Sequence, residues 1–298
     1  MISVIIPHFN QPELLDRCLA SLMPQADGAE VIVVDNGSSL LPEPVVARYP
    51  GVRLLHEPAK GPGPARSLGA RMAGGDFLAF IDADCVADGG WLAAIARAFS
   101  DPEAQVLGGE VLILHTDPDR PTAYEAYESE FGFRNDFYVM REHYSATANM
   151  AVRRAVMARV GDFAGIEIAE DKDWGQRAHA LGIVIRWVPD MIVRHPARAT
   201  FAELARKWDR LAGHAFAMQG QTRAGRLRWA VKAALMGFSA PAALPRILGS
   251  RRIGGGLGAR LGAFAVLARI RLYRAKLMLR LLLQGGAGEK ASRWRDQG

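Results

Sequence analysis

Apolar residues in the first hundred positions come in blocks rather than in alternation. Ile2–Ile6 is a short apolar run stopped by Pro7, and Glu30–Val34, Val52–Leu55 and Asp76–Ile81 are three more. Between and after them lie stretches with helical spacing: Gln11–Met23, Pro64–Ala73 and Trp91–Phe99. Asn10 is the expected N-cap of the first, with Pro12 early and Glu13 three residues after the cap. The second is entered through Gly61-Pro62-Gly63-Pro64. Continuous apolar strands separated by helices predict a parallel sheet buried on both faces. Further on, Gln105–Leu114 and Ala146–Val152 read as strands and Thr122–Phe131 as a helix. A helix opens at Ile168–Trp174 and runs to about Leu181, Ile183–Val188 and Met191–Arg194 are strand-like, and from Phe201 the chain turns helical and basic.

In such a sheet, ligands bind beyond the carboxyl ends of the strands. Asp35 and the pair Asp82 and Asp84 fall at those ends, although 47 residues separate Asp35 from Asp82. One Asp after a strand is turn chemistry. Two in alternation beside an apolar core repel each other unless a cation sits between them. Each motif also has a plainer reading: Asp82-x-Asp84 as solvated loop, Asp35-Asn36-Gly37 as a turn, Glu170-Asp171 as helix-start charge compensation, Arg66 as a surface helix residue. Pro7-His8-Phe9-Asn10 is neither a dinucleotide fingerprint nor a P-loop, which disfavours a nicotinamide enzyme.

With 298 residues, half of them apolar, the chain has room for one large α/β domain or two smaller ones. Cys18 and Cys85 lack metal-ligand spacing and favour a reducing compartment without a disulfide framework. The opening MISVIIPHFN lacks a basic segment followed by a long apolar one, so the protein is expected to stay on the cytoplasmic side. The net charge of +6 hides an asymmetry. Residues 1–199 hold 18 Lys+Arg against 27 Asp+Glu, a balance of −9, whereas residues 200–298 hold 19 against 4, a balance of +15. The break near residue 200 is a candidate boundary.

The pieces come in an informative order. A strand ends in Pro7-x-Phe9-Asn10 and a second in Val33-Val34-Asp35-Asn36-Gly37-Ser38-Ser39; then come Gly63-Pro64-Ala65-Arg66-Ser67-Leu68-Gly69 and Gly75–Asp84. Val160-Gly161-Asp162-Phe163 and Glu170-Asp171-x-Asp173 follow. Over roughly Met1 to His195 this set resembles the family-two inverting glycosyltransferases. The resemblance implies a GT-A fold, a Rossmann-like mixed sheet flanked by helices, expected to occupy residues 1–220, and the charge and spacing of the rest predict a basic helical region over 221–298. It implies transfer of a sugar from a nucleotide-diphosphate donor, UDP-sugar favoured, to an acceptor hydroxyl, with a divalent cation (Mn²⁺ or Mg²⁺) as cofactor. By the same likeness Pro7, Phe9, Asp35, Arg66, Asp82 and Ala83 contact the donor nucleotide. Asp84, Asp82 and His195 hold the metal, Asp171 is the general base, and Glu170 and Asn149 lie on the acceptor side. Asn36 stands where a second Asp is frequent in the family, and Ser67 where Asn is frequent.

The chemistry is coherent with that likeness. A cation bridging the diphosphate neutralises the charge that grows on the leaving group, and hard cations prefer carboxylate oxygens. A single displacement needs one base, and the N-terminus of a helix is expected to help keep Asp171 ionised. A sugar-nucleotide pyrophosphorylase is disfavoured, because no glycine-rich, Arg-containing loop follows the first strand. A non-catalytic adaptor on a decayed transferase domain is disfavoured by the intact Asp82, Asp84 and Asp171.

In the basic tail, Trp229–Leu248 has only Lys232 and Arg246 as charges, and the 13-residue apolar run between them is too short to span a bilayer. In Leu257–Leu283, Arg269, Lys276 and Arg280 share one side of a helical wheel, with Arg260, Arg271 and Arg274 nearly opposite. An ordinary helical subdomain and a region lying on an anionic membrane surface both fit, and the second is favoured by the charge. No nucleic acid is expected, since aromatics interleaved with the cations are scarce. The acceptor is then a glycan or a lipid-linked molecule of the cell envelope.

Overall fold

The structure is a computed structural model that describes residues 1–166, 168–219 and 222–283. Its strands are β1 (Ile2–His8), β2 (Glu30–Asp35), β3 (Val52–His56), β4 (Phe77–Ile81), β5 (Val86–Ala87), β6 (Val106–Leu114), β7 (Asn149–Arg153) and β8 (Ile185–Pro196). They form one sheet of order β3-β2-β1-β4-β7-β6-β8-β5. The first half is parallel, β1 pairing with both β2 and β4, and β2 with β3. β7 then runs antiparallel between β4 and β6, and β5 antiparallel on β8. The sheet is therefore mixed, as the resemblance implies, and not parallel throughout as the apolar runs predict. An apolar run records burial on two faces but not strand direction.

The helices of the first part are α1 (Pro12–Leu22), α2 (Glu43–Val46), α3 (Pro62–Met72) and α4 (Trp91–Phe99). Later come α5 (Ala123–Phe131), α6 (Asn135–Phe137), α7 (Arg154–Val160), α8 (Glu170–Ala180), α9 (Phe201–Gln219), α10 (Arg223–Phe238), α11 (Leu244–Leu248) and α12 (Gly256–Leu283). The strand alternation explains the two-sided core. Val4, Ile6, Val33 and Ile81 pack with Leu15 and Leu19 of α1 and Trp91 and Ile95 of α4. Ile5, Val34, Leu78 and Phe80 pack on the other face with Ala65 of α3, Met157 of α7 and Trp174 of α8. Leu15 and Leu19 have no exposed surface, and each such burial stabilises by about 1.5–3 kcal/mol.

Two local expectations are corrected. Asn10 does not cap α1: Gln11 holds the N-cap position with no side-chain hydrogen bond. Asn10 has φ +54, and its Oδ1 accepts from the amides of Ser39 (2.8 Å) and Leu40 (2.9 Å) instead. The two strand-like stretches at 183–194 are one strand, β8, with a register shift against β6 at Gly109/Glu110.

The chain divides into two compact units: Met1–Leu114 with Phe133–Pro196, and His115–Gly132 with the described residues from Ala197 on. The division lies beside the charge break near residue 200, ahead of the expected boundary at residue 220. The second unit is helical. Tyr127 of α5, Leu204 of α9, Ile247 of α11 and Ile270 of α12 form one apolar cluster, and Phe216, Trp229, Leu277 and Leu281 another. Buried Glu128 is held by Arg198 at 2.7 Å, and Thr122 with Glu125 closes a capping box on α5. The two sets of cations on α12 have different fates. Arg260 donates to the carbonyls of Leu248 and Ser250, Arg271 to that of Ser239, and Arg274 lies over the Trp208 ring at 3.5 Å. Arg269, Lys276 and Arg280 lie on the exposed side with Leu272 and Leu279, although Arg269 also lies over the Phe201 ring at 4.0 Å. Among the described residues no helix is long and apolar enough to cross a membrane.

Candidate functional site

The carboxyl ends of β1, β2 and β4 meet as the topology requires. The register sets His8 against Asp35. Asp35 is buried, and both of its oxygens are engaged: His8 Nδ1 lies 3.0 Å from Oδ1, and the amides of Gly37 and Ser38 donate to Oδ2 at 3.2 Å. Burial pushes its pKa up, but the hydrogen bonds from Ser38 and His8 outweigh that, so it lies below the ordinary value. His8 Nε2 accepts from the Gln11 amide at 3.2 Å, which fixes the proton on Nδ1. His8 was not singled out by sequence; the signal is a polar residue that the apolar run carries into the core. Pro7 is half-buried, while Phe9 stays 38% exposed beyond the strand.

Asn36, the first departure from the family pattern, has a local reason. Its Nδ2 donates to the carbonyls of Glu57 (3.0 Å) and Ala59 (2.7 Å), and its Oδ1 accepts from the Gly61 amide (2.7 Å). A carboxylate has no donor for those carbonyls. Gly61 takes φ +115, which favours glycine, and leads into α3. A Cβ on Gly63 would collide with the Ala164 carbonyl oxygen. Ser67, the second departure, accepts from the Phe163 amide at 2.9 Å.

β4 ends in Asp82-Ala83-Asp84. Ala83 is buried in the core, and Asp82 and Asp84 flank it in a turn closed by the Cys85 amide on the Asp82 carbonyl at 3.0 Å. Arg66 is not a surface residue: it is 3% exposed, its Nη2 bonds Asp82 Oδ1, and its Nη1 bonds Glu170 Oε1 at 2.9 Å. Its Nε is buried without a partner. One guanidinium thus ties the end of β4 to the first turn of α8.

Asp84 is met from the other side. β5 pairs with β8 in the register Val86↔Arg194, and Arg194 clamps Asp88 with bonds of 2.8 and 3.0 Å. That pairing brings His195 Nε2 within 3.2 Å of Asp84 Oδ2, with the Phe133 ring tilted against the imidazole at 4.9 Å. His195 Nδ1 lies 2.6 Å from the Pro196 carbonyl and carries the proton, leaving the Nε2 lone pair toward the carboxylate. Two acceptors face each other this closely only with a positive charge between them, a proton or a metal ion. The O and N donor set suits Mg²⁺ or Mn²⁺. Among the described residues no three or more His, Cys, Asp or Glu side chains converge as a full ligand cage.

Glu170 and Asp171 open α8, whose N-cap Ala169 gives no side-chain bond. Asp171 is half-buried, and its Oδ1 accepts from the Lys172 amide at 2.7 Å. Burial, with the adjacent Glu170 charge, pushes its pKa up to about 6. Burial and the Glu170 charge thus leave it less readily ionised than its place at a helix start predicts. Beside it, half-buried Tyr138 and Tyr144 stack at 4.9 Å, and burial raises both phenols with a contribution from Asp171. Neither tyrosine was singled out by sequence, because the π-turn over Tyr138–Glu142 that presents Tyr138 has no periodic signal.

Asn149, expected on the acceptor side, does not join this group. It is fully buried, accepts from Trp91 Nε1 at 2.8 Å, and donates to the carbonyls of Glu110 and Met191 at 2.8 Å. Its amide is used up holding β6, β7 and β8 together. Cys18 and Cys85 are buried free thiols whose pKa values burial raises, so neither is a nucleophile here.

Residues 3–161 match the family model described as glycosyl transferase family 2. The glycosyltransferase AglE of Haloferax volcanii is 31% identical over 215 residues, covering 69% of this chain and 70% of that protein. The pre-mycofactocin glycosyltransferase of Mycobacterium tuberculosis is 31% identical over 215 residues, 69% of this chain but 45% of its own length. Among solved structures, the mannosyltransferase PcManGT from Pyrobaculum calidifontis, in complex with GDP-Man and Mn²⁺, superposes with a TM-score of 0.61. That match covers 95% of this chain and 86% of the other at 20% identity, a likeness of fold alone. The eight-stranded mixed sheet flanked by helices is thus a GT-A fold.

Proposed function

The chain belongs to glycosyl transferase family 2, and on that premise we propose that it moves a sugar from a nucleoside-diphosphate sugar to an acceptor hydroxyl with inversion. The observation that carries this reading is the pair of hydrogen bonds that Arg66 donates, one to Asp82 and one to Glu170. It gathers the carboxylate at the end of β4 and the acidic first turn of α8 around one cluster. Asp84 and His195, with Asp82 beside them, would hold Mn²⁺ or Mg²⁺, and the rest of the coordination shell falls to donor phosphates and water. When bound, the cation supplies charge neutralisation for the leaving diphosphate. The donor nucleotide meets the backbone around Pro7 and Ala83 and the exposed Phe9, while buried Asp35 shapes that pocket by fixing His8 and the 37–38 amides.

Asp171 takes the acceptor proton. A carboxylate with a pKa of about 6 is mostly ionised at neutral pH and is a stronger base than an ordinary Asp. Glu170, fixed by Arg66, lies on the acceptor side with the stacked Tyr138 and Tyr144. The acceptor is a glycan or lipid-linked molecule of cell-envelope, exopolysaccharide or glycolipid synthesis, met at the cytoplasmic side of the membrane.

UDP is the favoured carrier, but the mannosyltransferase of similar fold holds GDP-mannose, so both bases are compared. Calorimetry of the full chain with UDP and GDP, each with and without Mn²⁺, is expected to show one diphosphate binding at least tenfold more tightly with the ion. Binding that ignores Mn²⁺ for both nucleotides removes the metal from the proposal.

A further inference from the structure

Among the described residues, the second unit carries a helix face that nothing in the unit covers. α10 packs Gly225, Trp229 and Ala233 inward, Trp229 against Leu277 and Met278 of α12. On the opposite side, Leu227, Val231, Leu235 and Phe238 follow one another at steps of four, four and three, which places them along a single stripe. They are 69%, 51%, 66% and 87% exposed. Isolated exposed leucines are ordinary, whereas four large apolar side chains in one row on a helix mark a binding surface.

The charges beside the stripe are all of one sign. Arg223, Arg228 and Lys232 lie exposed along its flanks. From Arg210 to Gly288 the sequence holds 14 Lys and Arg and neither Asp nor Glu. An apolar row flanked by long cationic side chains is the arrangement of a helix lying in a membrane interface. The apolar row enters the acyl boundary while the cations reach anionic headgroups. A second protein copy would bring the same positive charges face to face, and a nucleic acid has no use for Phe238 and the leucines. The outward face of α12, by contrast, interrupts Leu272 and Leu279 with Arg269, Lys276 and Arg280.

We propose that the Leu227–Val231–Leu235–Phe238 face of α10 docks the protein onto an anionic lipid surface, lying in the interface rather than spanning it. The proposal gives the membrane location suggested for the transferase a definite contact, and it rests on that location, not on the chemistry of the site.

The test uses the full chain, sedimented with vesicles of phosphatidylglycerol and phosphatidylcholine or of phosphatidylcholine alone. The parent is expected to pellet with the anionic vesicles and to be partly released by high salt. Leu235→Glu/Phe238→Glu should weaken that partition at least tenfold while nucleotide binding, read by calorimetry, is unchanged. Both side chains face outward, so the core is untouched. A Phe238→Trp variant should show a blue-shifted emission, quenched by brominated acyl chains, on binding. Parent protein left in the supernatant overturns the membrane location, and a double variant that pellets like the parent overturns the α10 contact. A concentration-dependent dimer, abolished by the same double variant, assigns the face to a second copy instead.

Discussion

Asp171→Asn is expected to lower sugar transfer by about 10²-fold or more while donor affinity stays within a few-fold of the parent. The substitution keeps size and the contact with the Lys172 amide but removes the basic electron pair. The donor side is built from β1, β2 and β4, so nothing that proposal gives the nucleotide is altered. The parent carries a second signature. Burial and Glu170 raise the Asp171 pKa to about 6, so the base is protonated, and lost, as pH falls through that value. Transfer should rise with pH through an inflection near 6 and level off above it, and the Asn variant should lack that inflection. Steady-state rates from pH 5 to 8 decide the matter; a variant within a few-fold of the parent moves the base elsewhere.

Asp84→Ala has the other large effect, on binding rather than chemistry. It removes one of the two protein groups that face each other at 3.2 Å and leaves His195 with no carboxylate opposite its Nε2. The Mn²⁺-dependent gain in nucleotide affinity is expected to vanish. Because the side chain lies after the end of β4, thermal stability should change by no more than about 1 kcal/mol. Calorimetry with the preferred diphosphate and Mn²⁺, beside a denaturant melt, separates the two. Undiminished metal-dependent binding would remove Asp84 from the metal site.

The strands were readable because each apolar run feeds both faces of one sheet: Val4 and Ile6 go one way and Ile5 the other. That same two-sided burial hid the reversal at β7, since a run such as Met150–Val152 looks alike in either direction. The positions of Asp82, Asp84 and Asp171 were legible from order along the chain. The pairing of Arg66 with Asp82 and Glu170 was not, because it needs α3 and α8 placed together. Asn10 and Asn149 misled for a related reason, because an amide bonds whatever the tertiary fold brings near, here the 38–40 loop and the β6–β8 seam. The tail shows the limit of a helical wheel. It separated Arg271 and Arg274 from Arg269 and Lys276, but only packing tells that Arg271 closes onto a carbonyl while Arg274 and the exposed Arg269 both lie over aromatic rings.

Whether the gathered carboxylates perform transfer is tested most directly by donor turnover. The full chain is incubated with UDP- and GDP-sugars and Mn²⁺, with water or a simple glycan as acceptor, and the products are followed by phosphorus and proton NMR. Release of the nucleoside diphosphate from one donor, with the first-formed sugar of opposite anomeric configuration, is the predicted result. Retained configuration, or tight nucleotide binding without release from any donor, would contradict it, the latter in favour of a non-catalytic adaptor.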